Sequence, residues 1–161
     1  MHRKIPWLLL ALILVTTSVT NSISAQLIEK KTVGLAAAKK MIAAAEAEAT
    51  KNGWTMVVAV LDDGENLVAM ERMDGTQLGS IEVAQDKART ALQFKRPTVA
   101  FQDRVNKGEP NMLSLGHVTA VQGGVPIIAD GKVIGAIGAS GGQSPQDEQC
   151  AKAGLSVLAE N

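Results

Sequence analysis

The chain is poor in the side chains that most often carry chemistry. It has no tyrosine, a single cysteine (Cys150) and two histidines, His2 and His117. A lone cysteine cannot form an internal disulfide, which excludes a disulfide framework. One cysteine and one histidine beyond the N-terminal stretch cannot close a structural zinc site. Neither sign of charge dominates, since 16 Lys+Arg stand against 16 Asp+Glu. With no basic run either, nothing electrostatic draws in nucleic acid or a membrane surface. Past the N-terminal stretch the aromatics are Trp54, Phe94 and Phe101. The core must come from Ala, Val, Ile, Leu and Met.

The first 26 residues read MHRKIPWLLLALILVTTSVTNSISAQ. Arg3 and Lys4 give a positive start, Trp7 to Val15 is wholly apolar, and small residues crowd before Ala25, as in a secretory signal peptide. The apolar run falls short of the roughly 20 residues that cross a bilayer core, so stable membrane insertion after cleavage is not expected. Cleavage after Ala25 predicts one exported domain over residues 26–161, periplasmic or secreted. No linker, low-complexity tract or strict repeat divides it.

Hydrophobic period and turn residues then lay out the elements. Leu35, Ala38, Ile42, Ala45 and Ala49 share one helical face, with Thr32 as a capping candidate and Asn52-Gly53 as the stop. Trp54–Leu61 and Asn66–Arg72 predict a hairpin turning at Asp63-Gly64. Ile81, Ala84, Ala88 and Ala91 mark a helix over Ser80–Phe94 that ends before Pro97. A short helical segment over Val99–Val105 follows. Val125–Ala129 and Val133–Ile137 around Asp130-Gly131 give a second hairpin, and Pro145–Leu158 a last helix. Two hairpins and at least three helices make an α/β domain with a mostly antiparallel sheet. The sheet has five strands if Leu115–Val121 supplies one.

Few residues are candidates for chemistry. His117 could ligate a metal, haem iron included, or act as a base, and could equally be an ordinary imidazole. Ser140 lacks the Gly-x-Ser-x-Gly elbow of a covalent hydrolase. Met70, Met73 and Met112 could offer thioethers or pad a core. Cys150 shares helical spacing with Gly154, Val157 and Leu158, as a buried inert thiol would. Glu82 and Asp86 could share a hard cation such as iron, but two carboxylates are too few alone, and Arg89 lies one turn from Asp86. Asp62, Asp63 and Glu65 read first as turn chemistry. The glycine loop Gly138–Gly142 before a helix start could hold an anion through its N–H groups, or could pack tightly against other backbone.

In order along the chain, Asp62-x-Gly64-x-x-Leu67, Arg72-Met73-Asp74-Gly75, Ser80 and Ala84-x-x-Lys87-Ala88 are followed by Gly123-Gly124-x-Pro126. Ile134-Gly135-Ala136-Ile137-Gly138-x-Ser140-Gly141 and Gln146-Asp147 complete the set. This combination resembles the GlcG/HbpS family of haem-binding proteins, which is related to the C-terminal domain of PduO-type proteins. The resemblance runs from about Leu35 to Leu158. It implies a profilin-like three-layer α/β/α fold with a mostly antiparallel sheet of about five strands, and assembly into homo-oligomers. It also implies haem as cofactor, while an iron ion, for which Glu82 and Asp86 are the candidates, is the alternative. A histidine on the N-terminal helix of the PduO-type relatives has no counterpart, since residues 26–52 contain none. Haem would then be held largely by apolar contact, with His117, a Met or a Thr hydroxyl near the iron, and His117 is the residue assigned as metal ligand. Gly123, Gly124, Gly138, Ser140, Gly141 and Gly142 complete the expected cofactor site, and no residue is assigned to catalysis. The function expected is haem sensing, storage or handling. The alternative is an enzyme, for oxidative haem degradation or an accessory reaction on a small organic acid. His117 is the only imidazole past the leader, so few side chains could serve as a general base, which favours binding over catalysis.

Overall fold

The computed structural model describes residues 27–158, so the leader assigned to residues 1–25 lies outside the described residues. From Lys31 onward the chain forms one compact unit. Helix α1 (Leu35–Lys51) buries Ala38, Met41, Ile42, Ala45 and Ala49, which recur at three or four residues and so share a face. It ends at Asn52, after which Gly53 turns left-handed with φ 73°. Thr32 does not cap it. The N-cap is Gly34, and the Thr32 hydroxyl instead accepts the Asp63 N–H at 3.5 Å. Trp54 follows at the rim of the core.

Strands β1 (Val57–Asp62) and β2 (Leu67–Arg72) form the first hairpin. Asp62 Oδ1 holds its turn by accepting the N–H groups of Gly64 at 2.8 Å and Asn66 at 2.9 Å. Helix α2 (Ser80–Phe94) stops at left-handed Lys95, two residues before Pro97. Helix α3 (Val99–Asn106) and a short 3-10 turn (Pro110–Ser114) lead to the second hairpin, β3 (Gly124–Ala129) and β4 (Lys132–Ser140). Asp130 and Gly131 both take positive φ, 49° and 72°, the pattern of a type I′ turn. Helix α4 (Ser144–Leu155) opens with a proline in its first turn and with Gln143 and Gln146 capping each other reciprocally.

The sheet is antiparallel, in the order β2-β1-β4-β3. Strand alternation sends Val58, Val60, Ile127, Ile137 and Ala139 toward α1 and α4. Val57, Ala59, Leu61 and Ala136 go to the other face, against α2. The result is three layers, α/β/α, as expected. The strand count is four rather than five. Leu115–Val121 does not join the sheet, because side chains take its backbone donors. Thr119 N–H goes to Thr90 Oγ1 and the following Gln122 N–H to Gln102 Oε1. His117, at φ 62°, also breaks any extended run.

Layer spacing depends on missing side chains. A Cβ at Gly124 would strike the Lys87 carbonyl, and one at Gly138 the Ala84 carbonyl and the Ala88 nitrogen. The backbone of α2 therefore lies directly on β3 and β4. Gly138→Ala should cost about 3 kcal/mol from overpacking, read as a lower urea midpoint at unchanged slope. A wild-type midpoint would show that α2 can lift off the sheet without penalty.

Candidate functional site

Helix α2 carries a lysine where an apolar residue is expected. Lys87 is only 1% exposed, and its Nζ meets Asp147 Oδ2 at 2.6 Å. The same ammonium donates to the Ala139 carbonyl at 3.1 Å. Asp147 in turn accepts the Gly142 N–H through Oδ1 at 2.9 Å, and the Gly141 N–H as well. Burial pushes both groups toward neutrality, Asp147 up and Lys87 down, while their mutual hydrogen bond and attraction oppose it. This ion pair joins α2, the end of β4 and the first turn of α4. Next to Asp147, Glu148 is buried too, with one carboxylate oxygen on Lys152 at 2.6 Å.

The glycines expected to cradle a ligand surround that pair. At Gly123, a Cβ would come within 2.7 Å of the Ala139 carbonyl and 2.9 Å of Lys87 Nζ. The Gly124 N–H goes to Thr98 Oγ1 at 3.0 Å. The open space at Gly124 and Gly138 is taken by α2 and that at Gly141 by the Thr55 carbonyl. The N–H groups of Gly141 and Gly142 end on Asp147. Ser140 is buried and bonded to Ser80 Oγ at 3.1 Å. Six of the expected site positions are thus brought together, around an internal charge pair.

His117 sits apart from them, exposed, in the connection before β3. It is held from below by Thr90, whose hydroxyl donates to the His117 carbonyl at 3.2 Å and accepts the Thr119 N–H at 2.9 Å. Thr90 lies three residues after Lys87, so neighbouring turns of one helix carry both groups. Leu113, Leu115 and Val121 of the same connection are exposed apolar side chains. Lys87 and Thr90 were the residues that sequence reasoning missed. The available signal was Lys87 at i+3 from Ala84 and one residue before Ala88, on the edge of a buried stripe.

The remaining candidates fall to structural roles. Met73 Sδ accepts the Met56 N–H at 3.4 Å, Met70 packs against Val57, Ala59 and Ala84, and Met112 is buried. Asp86 pairs with Arg89 at 2.6 Å, and with Glu82 and Gln85 they line a shallow polar depression of about 290 Å³. Among the described residues, no three acidic, histidine or cysteine side chains converge where a metal ion could sit. Nor is any described helix long and apolar enough to cross a membrane.

Residues 33–156 match the family model described as "Haem degrading protein HbpS-like". The chain belongs to the HbpS-like family. Among HbpS-like relatives, protein GlcG of Escherichia coli K12 is 42% identical over 103 residues, which cover 64% of this chain and 77% of GlcG. A double mutant of Streptomyces reticuli HbpS is 33% identical with TM-score 0.76, covering 83% of this chain and 91% of that one. PduOC, solved in complex with haem, is 28% identical with TM-score 0.70, over 78% of this chain and 94% of PduOC.

Haem asks for an apolar surface and, in most sites, a nitrogen or sulfur ligand. The connection that carries the exposed imidazole of His117 also carries exposed Leu113, Leu115 and Val121, so the residue types present there fit the group. The glycine turn has its donors already committed, so it offers a propionate little.

Two measurements follow from this geometry. Lys87→Met or Asp147→Leu alone should each cost about 3–5 kcal/mol, by stranding a buried charge, while the double variant recovers a large part. A urea double-mutant cycle reads the coupling, and strictly additive losses would contradict an energetic pair. Burial also pushes the Cys150 thiol up to about 11, so at pH 8 native protein should resist iodoacetamide until denatured. Rapid alkylation of folded protein would refute this.

Proposed function

We propose that this chain is an exported haem-binding protein, oligomeric in its working form, that senses, stores or handles haem. The observation that carries the reading is membership of the HbpS-like family together with the likeness to PduOC, a protein solved with haem bound. The leader sequence, with Arg3 and Lys4 before an apolar run and small residues ahead of Ala25, supports export. Exposed Leu67, on the edge strand β2, and exposed Leu78 supply apolar surface that assembly would cover.

In this reading His117 would ligate the iron, and the exposed Leu113, Leu115 and Val121 of the same connection would give the porphyrin apolar contact. The haem itself would supply redox and oxygen chemistry. The chain's own residues orient it and limit water. A second reading, oxidative haem breakdown, is favoured by the family's own description as haem-degrading. It would draw on the same surface.

Titration of apo protein with hemin is expected to give a saturable, red-shifted Soret band, and His117→Ala to weaken affinity at least tenfold, about 1.4 kcal/mol. Absence of any spectral change at micromolar hemin would refute haem binding. Adding ascorbate under air separates the two readings, since loss of the Soret with a bilin-like absorption marks degradation. Light scattering of the processed protein tests assembly, and a monomer at all concentrations would contradict it.

A further inference from the structure

Thr90 is fully buried in the middle of α2. Threonine hydroxyls within helices commonly bond back to a carbonyl of their own preceding turn. This one leaves its helix. It donates to the His117 carbonyl and accepts the Thr119 N–H, which clamps the residues either side of Val118 through one oxygen. The clamped residue is a histidine at φ 62°, in the left-handed region that non-glycine residues enter at a cost. Such a conformation persists only where its surroundings impose it. No hydrogen bond to either ring nitrogen of His117 is found among the described residues, so the main chain, which sets the direction of the Cα–Cβ bond, is what places the imidazole on this face.

We propose that Thr90 is the positioning residue for His117, fixing the left-handed turn that presents the imidazole as a ligand to haem iron. This rests on the reading of His117 as the residue that would ligate haem iron. The hydroxyl touches neither iron nor porphyrin. It acts through the main chain, by holding the His117 carbonyl and the Thr119 amide at one point on a rigid helix. Fixing the ligand before haem arrives removes an ordering cost from binding. The gain should show in the rate of haem loss and in a single, uniform ligation state.

The test uses the full processed chain, hemin as probe, and transfer to apomyoglobin to time haem loss. Thr90→Val keeps the shape and deletes both hydrogen bonds. It should speed haem loss about tenfold and turn one Soret species into a mixture. Thr90→Ser keeps the hydroxyl and should restore the wild-type band and rate. His117→Gly, which accepts positive φ, should lose the ligand, and added imidazole should restore the band. That rescue should be equal with and without Thr90→Val, because free imidazole does not depend on the clamp.

Thr90→Val behaving as wild type while His117→Gly loses the band would overturn the role of Thr90 and leave haem binding intact. Imidazole rescue that falls with Thr90→Val would make Thr90 a packing residue and overturn the proposal as well. A wild-type band indifferent to His117→Gly would overturn the reading of His117, and Thr90 with it. Should Thr90→Val fail to fold, Thr90→Ala deletes the same hydroxyl, and a wild-type band and rate of haem loss in that variant would overturn the proposal.

Discussion

The contact between the α2 backbone and the bare strands β3 and β4 governs the rest of this molecule. Gly124 and Gly138 let the helix lie directly on the sheet, with the carbonyls of Lys87 and Ala84 against the strand backbone. At that distance a side chain on the edge of the buried stripe has no route to water. Lys87 must therefore be neutralised internally, and Asp147 at the start of α4 does so. The charge pair is a consequence of close packing rather than an independent device. It also locks the first turn of α4 to the end of β4, since the same carboxylate takes the Gly141 and Gly142 amides.

A helix held that firmly is a good platform. The sheet holds the Ala84, Ala88 and Ala91 side of α2, and α4 holds the Lys87 side through Asp147. The next turn offers Thr90 to a connection that has no regular structure of its own. The segment from Leu115 to Gln122 is tied down by two side chains, Thr90 and Gln102, reaching from α2 and α3. Rigidity thus passes from the core to an exposed histidine through a single oxygen.

Local patterns in the chain announced most of the fold. The spacing of Ala38, Ile42, Ala45 and Ala49, and of Ala84, Ala88 and Ala91, marked two helices because burial on one side imposes a period of 3.6. Asp130-Gly131 marked its hairpin because few residue pairs accept two positive φ values in a row. Whether Leu115–Val121 supplies a fifth strand is not legible locally, since pairing there depends on side chains from Thr90 and Gln102, far off in sequence. The glycines carried the same ambiguity. Their lack of side chains was plain, but the atoms filling the space are set by the tertiary fold, as the Ala84 carbonyl is at Gly138. Lys87 was hidden for a similar reason. A lysine on a helix normally reaches solvent, and only the partner at Asp147 makes burial tolerable.

Trp54 has a consequence of its own. It is the only tryptophan among the described residues, it sits between the end of α1 and the start of β1, and it packs against the core shared with α4. With no tyrosine anywhere in the chain, near-ultraviolet emission from the folded domain comes from that one indole. A porphyrin on any face lies within energy-transfer range of a body this small. That one indole is thus an optical gauge of the folded domain's integrity and, in the haem-binding reading proposed above, would report occupancy as well.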